Sequence, residues 1–258
     1  MSVMINVCFN GCSFTWGSGF NSYERNLYVY DQLISEHYNW NSINIAEKGS
    51  SNYRIFLRTA ESIQQNKYDF IFTQWTGLNR IWLSPGPETF YFSNDEEYTD
   101  YRYRDIYINS RTKKKLNNLL LILNHDYQNI LDLVGYCNIL ENLARANSTR
   151  LIFINGLVPW QNDLIKSIGI DLSLSLSDYT KSILDFDNRT DEEITKYFNV
   201  LQQKLSTINR NIWVNMFDSF QVNSVDVASE GHHPGIKSHK WMADKIIDYI
   251  DMHNKGTV

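Results

Sequence analysis

Short apolar runs alternate along the chain with longer stretches in which apolar residues return every three or four positions. Runs of strand length lie near residues 3 to 9, 42 to 45, 69 to 75, 150 to 155 and 212 to 217. Helical spacing predicts segments near 24 to 38, 51 to 65, 114 to 147, 190 to 209 and 237 to 253. The last is the clearest, with Trp241, Ile246, Ile247 and Ile250 on one face and Lys and Asp between them. Strands separated by helices are the signature of a parallel α/β sheet. With 258 residues, no internal repeat and no linker, the chain is expected to form one domain over 1–258.

Residues 80 to 112 interrupt this alternation. They hold Pro85-Gly86-Pro87, the acidic Asp95-Glu96-Glu97 and many aromatic residues. Long connections in compact domains are lids or disordered, and a stretch so aromatic is unlike a disordered one. It is expected to be an insertion folded over one end of the sheet. A second irregular stretch, roughly 157 to 189, is rich in Ser, Asp and Leu and is expected to cover the same end.

Charge removes several classes of partner. The formal net charge of −5 argues against a nucleic-acid backbone, which usually meets a basic patch. The one basic run, Arg111-Thr112-Lys113-Lys114-Lys115, precedes a helical pattern and fits a solvated helix start. No run is long and apolar enough to cross a bilayer, and the N-terminus lacks a signal-peptide pattern. The expectation is a soluble, cytosolic protein with no membrane partner. Three cysteines, Cys8, Cys12 and Cys137, cannot all pair and lack metal-ligand spacing, so free thiols and no bound metal are expected.

The chemistry concentrates at two distant places. Directly behind the first strand stands Gly11-Cys12-Ser13-Phe14-Thr15-Trp16-Gly17. In an open parallel sheet ligands sit beyond the carboxyl ends of the strands, so this turn is placed for a site. Glycine permits a sharp turn, leaving the Ser13 hydroxyl at the rim. The same residues also suit a turn whose Ser and Thr cap the next helix. A serine becomes a nucleophile only when a base takes its proton, and that base needs an orienting group. Residues 226 to 239 supply candidates, with Glu230 three positions before His233 and Pro234 stiffening the exit. His232 and Asp226 are the competing base and carboxylate, and His239 falls in the first turn of the last helix.

Gly-x-Ser-x-Thr-x-Gly after the first strand, with a carboxylate-x-x-His-Pro near the C-terminus, resembles the SGNH (GDSL-type) hydrolase family. The resemblance spans nearly the whole chain. It implies a three-layer α/β/α flavodoxin-like domain of about five parallel strands, ester-hydrolysing activity and no cofactor. It further implies Ser13 as nucleophile, His233 as general base and Glu230 as its orienting carboxylate. The oxyanion hole would comprise the N–H groups of Ser13 and Gly49 and the amide of Asn79, from Ala46-Glu47-Lys48-Gly49-Ser50-Ser51-Asn52 and Gly77-Leu78-Asn79-Arg80. Taken alone, Gly49 equally suits a strand-to-helix turn capped by Ser50 or Ser51, and Asn79 suits a turn. The family's His-Pro pairing favours His233 over His232, and the spacing of Asp226 is wrong for the motif.

The chain departs from the family pattern in three places. Cys12 stands where the family has Asp in Gly-Asp-Ser, Glu230 replaces the usual Asp, and Arg80 replaces the third block's Asp. Cys12 offers a thiol, but its side chain should point away from that of Ser13 and pack. Arg80 would meet either an anionic substrate group or the acidic insertion. Trp75, Arg80 and Trp82 are the candidate substrate contacts. The expected substrate is a small acyl ester, an acetyl group above all, carried on a small molecule or carbohydrate that aromatic residues such as Trp82 would stack against. The alternatives are a carbohydrate-binding or structural module without catalysis and an O-acyltransferase using the same serine.

Overall fold

A computed structural model describes residues 4–65, 67–77, 81–83, 90–92, 126–155, 212–215, 226–229 and 233–254, with scattered positions between 192 and 209. Five strands form one parallel sheet: β1 (Asn6–Asn10), β2 (Asn41–Asn44), β3 (Phe70–Trp75), β6 (Arg150–Asn155) and β7 (Trp213–Asn215). Their order is β2-β1-β3-β6-β7, with Cys8 opposite Ile43 and Ile71, Phe72 opposite Ile152, and Ile154 opposite Val214. The order reverses at β1, so the chain crosses over to opposite faces from that strand.

Both faces of the sheet are covered, which explains the unbroken apolar character of its central strand. All six residues of β3 are buried. Cys8, Ile71, Trp75, Leu151, Phe153 and Trp213 point to one face, against Ile55 and Ile63 of α4 (Asn52–Gln64) and Ile130, Val134 and Leu140 of α5 (Asp126–Ala146). Val7, Phe9, Phe70, Phe72, Ile152, Ile154 and Val214 point to the other, against Tyr30 and Ile34 of α3 (Tyr30–Tyr38) and Met242, Ile246 and Ile250 of α6 (Ile236–Asn254). This is a three-layer α/β/α sandwich. Phe9 stacks on Phe72 at 4.7 Å between ring centroids. Each such fully buried side chain contributes about 1.5–3 kcal/mol of transfer free energy.

The strand expectations agree with the sheet, and three features differ from or add to the sequence reading. The helix expected near 24 to 38 is two helices, α2 (Ser22–Tyr28) and α3, broken at Val29. Val29 is extended, with φ −72° and ψ 142°, and its carbonyl accepts from Gln32 N at 3.0 Å to start α3. The break turns Val29 and Tyr30 together into the core, a gain that outweighs one continuous helix. The start of α2 is set by Asn21, whose side chain accepts from Glu24 N at 2.9 Å while Glu24 reciprocates. Inside the expected insertion, β4 (Ile81–Leu83) and β5 (Phe90–Phe92) form an antiparallel pair. The rest of 80–112, the stretch 157–189 and the helical expectation over 114–125 lie outside the described residues. Among the described residues no helix is long and apolar enough to cross a membrane.

Candidate active site

The turn behind β1 is shaped by close packing. A Cβ on Gly11 would collide with Thr15 Oγ1 and lie 3.1 Å from Gln74 Cβ, so glycine lets the chain fold Thr15 this close over the turn. Asn10 secures the strand end, its Nδ2 donating to Ile55 O and Thr59 Oγ1, each at 2.8 Å, and its Oδ1 accepting from Gly11 N at 2.9 Å. Ser13 then opens the one-turn helix α1 (Ser13–Trp16), which Gly17 ends in a left-handed conformation. Ser13 O accepts from Ser18 N at 2.9 Å. Ser13 follows the carboxyl end of β1 by three residues and is 5% exposed. Cys12 is fully buried in the α4 and α5 core, which makes it a packing residue.

A buried polar network holds α1 against the sheet. Tyr30 donates its hydroxyl to Thr15 Oγ1 at 2.9 Å, with Gln74 Oε1 at 3.2 Å, and Thr15 Oγ1 donates to Gln74 Oε1 at 2.6 Å. From β2, Asn44 Nδ2 donates to Thr15 O at 2.6 Å. Thr15, Tyr30 and Gln74 are all fully buried, and burial drives the Tyr30 hydroxyl well above its ordinary pKa, so it stays a neutral donor. Each bond is worth about 0.5–1.5 kcal/mol net, but an orphaned buried partner costs about 1–3 kcal/mol. The sequence reading missed these residues. The available signal was Gln74 inside an otherwise apolar run, since a buried amide must find partners.

Gly49 lies in the connection from β2 to α4 with φ at +72°, a left-handed conformation that disfavours any side chain. The turn is anchored by Glu47 N donating to Gly11 O at 3.3 Å, which ties it to the serine turn. Ser51 caps α4, its Oγ accepting from Arg54 N at 3.3 Å. The ordinary capped turn is therefore present at the position where an oxyanion donor is expected.

From the far end of the chain, His233 reaches α1. Its ring meets that of Phe14 at 5.6 Å between centroids, edge to face at 62°. The backbone around it is fixed: His233 O accepts from Ala228 N at 2.8 Å, and Pro234 bridges Val227. Asp226 lies beside this pairing and caps α6, its carboxylate accepting from Lys237 N at 3.0 Å and from Ser238 N and Oγ, each at 2.8 Å. Partial burial works to raise its pKa, yet those donors and the Lys237 charge hold Asp226 below the usual carboxylate range. Asp226 is thus a structural cap. Its oxygens are occupied at the helix start.

His239 is in the first turn of α6, as its position in the sequence implies, and is fully buried. Its Nδ1 accepts from Tyr30 N at 3.4 Å, and its ring lies against Phe20 and Tyr30. Burial lowers its pKa to about 4, so it is a neutral core histidine at physiological pH. Trp75 is 1% exposed and packs on Phe153 at 5.4 Å. Its ring thus belongs to the core on the α4 and α5 side of the sheet. Glu230, His232, Asn79 and Arg80 lie outside the described residues, and of Trp82 only the β4 backbone is described.

No protein-family model matches the chain, and none of the curated proteins matches it. Among solved structures it is similar to a catalytic variant of an acetylxylan esterase from Geobacillus stearothermophilus, with 14% identity and a TM-score of 0.49 over 97% of this chain and 96% of that one. It is also similar to a lipolytic protein of the G-D-S-L family from Desulfitobacterium hafniense, at 11% identity and a TM-score of 0.45 over 95% and 98% of the two chains. A psychrotrophic esterase from Pseudoalteromonas is similar at 11% identity and 0.45, over 97% and 98%. The strand order and register described above, and not these likenesses, carry the fold assignment.

Proposed function

We propose that this protein is a serine ester hydrolase that releases a small acyl group, acetyl in the first instance, from a small-molecule or carbohydrate ester. The observation that carries the reading is the approach of His233 to the serine turn through Phe14, at one carboxyl end of the sheet. Ser13 attacks the ester carbonyl as His233 takes its proton, and the alcohol leaves as His233 returns that proton. Water then attacks the acyl-serine by the same route and releases the acid. Glu230 orients the imidazole. The negative oxygen of each tetrahedral intermediate is received by the N–H groups of Ser13 and Gly49 and the amide of Asn79. Removing one such donor typically lowers turnover about 100-fold to 1000-fold. The left-handed turn at Gly49 supports its place in this set, since it frees the backbone of a side chain there.

The test is steady-state hydrolysis of p-nitrophenyl acetate by the full chain and by Ser13→Ala. Turnover that the substitution abolishes is the expected outcome. Equal activity of the two proteins would remove Ser13 from the mechanism. Glycan binding without turnover would instead make the protein a binding module, and acyl transfer to added sugars would make it an acyltransferase.

A further inference from the structure

Asn52, the first residue of α4, is 8% exposed, and both polar atoms of its amide serve a single backbone unit. Its Nδ2 donates to Thr76 O at 3.1 Å and its Oδ1 accepts from Thr76 N at 2.9 Å. Thr76 follows Trp75, the last β3 residue paired with β6, so the chain is leaving the sheet at this point. A planar amide that reads both groups replaces the missing strand neighbour and fixes the direction of exit as well as its position. Asn52 is not needed to cap α4, because Ser51 already does so.

Along the sequence the two halves of the clamp each stand close to a proposed oxyanion donor. Gly49 precedes Asn52 by three residues, and Asn79 follows Thr76 by three. We infer that Asn52 is a positioning residue of the oxyanion hole, holding the Gly49 turn and the β3 exit at Thr76 in fixed relation. The inference rests on the hydrolase reading above. Donors from two separate connections stabilise an oxyanion only if both keep their geometry as charge develops, and small misplacement costs rate steeply. The loss should therefore fall on kcat and spare KM.

The experiment compares Asn52→Leu and Asn52→Asp with the unaltered chain on p-nitrophenyl acetate, with thermal melting recorded and Ser13 labelling by a fluorophosphonate followed. Asn52→Leu, which keeps the volume and loses both bonds, is expected to lower kcat about 10-fold to 100-fold with KM within about twofold. Asn52→Asp keeps the acceptor for Thr76 N and should lie between. Labelling at Ser13 should persist, more slowly. Folded variants with unaltered kcat, or with only KM raised, would overturn the inference and leave the hydrolase reading standing. If Asn52→Leu does not fold, Asn52→Asp decides; if neither folds, Asn52 maintains the fold and the inference is overturned. Failure of the unaltered chain to hydrolyse the ester or to label at Ser13 would remove both readings together.

Discussion

The ring of His233 lies edge to face with the ring of Phe14, 5.6 Å between centroids, although the two residues come from opposite ends of the chain. Phe14 directly follows Ser13 in α1, and His233 precedes the Pro234 that bridges Val227. The contact joins the first strand end to the loop that starts the last helix. It orders the His233 imidazole against the residue that follows Ser13.

This contact predicts energetic coupling. Phe14→Ala removes the surface against which the imidazole rests and is expected to lower kcat/KM for p-nitrophenyl acetate about tenfold, near 1.4 kcal/mol. In a His233→Ala background the same truncation should cost little more, since the group it orders is gone. A double-mutant cycle with fully additive losses would show that the aromatic contact does not serve the base.

Gly11→Ala should be damaging for a steric reason. The new methyl would collide with Thr15 Oγ1 and approach Gln74 Cβ to 3.1 Å, so it would disturb the network that seats α1. Overpacking of this kind costs about 1–3 kcal/mol, or roughly 3–10 °C in Tm for a domain of this size. Calorimetry that finds Tm unchanged would mean the turn can open without cost.

His239 gives the fold an acid sensitivity of definite sign. Its pKa is lowered from 6.5 to about 4 by burial, so between those values the unfolded chain binds a proton that the folded chain refuses. Stability from this residue is complete above about pH 6.5 and is lost as pH falls toward 4, by roughly 2 kcal/mol at pH 4.5. Asp31, raised by burial to about 6, acts oppositely and loses stability as pH rises through that value. The two offset each other in the whole protein, so the comparison must be between variants. His239→Gln should lose about 2 kcal/mol less than the unaltered chain between pH 7 and pH 4.5 in urea unfolding. Identical losses would contradict the buried, neutral assignment.

Much of this architecture is legible in the sequence. Strands β1, β3 and β6 announce themselves because both of their faces are covered, leaving almost no room for polar residues. The ends of the site are legible from punctuation: Gly11 marks the turn that only glycine can make, and Pro234 marks the fixed exit beside His233. What escaped depends on contacts between distant residues. The break at Val29 is invisible locally because Val29 and Tyr30 continue a helical spacing, and their burial is what ends α2. The β4 and β5 pair is too short to show a period. Thr15, Tyr30 and Gln74, like Asn52 with Thr76, form pairs whose members carry no common spacing.

The most direct measurement is the site of covalent modification by a fluorophosphonate, located by mass spectrometry of the digested protein. A single adduct on Ser13, formed rapidly in the unaltered chain and slowed at least about 100-fold in His233→Ala, is the predicted result. Modification at Cys12 or elsewhere, or labelling of Ser13 at the same rate without His233, would contradict the pairing on which the proposed chemistry depends.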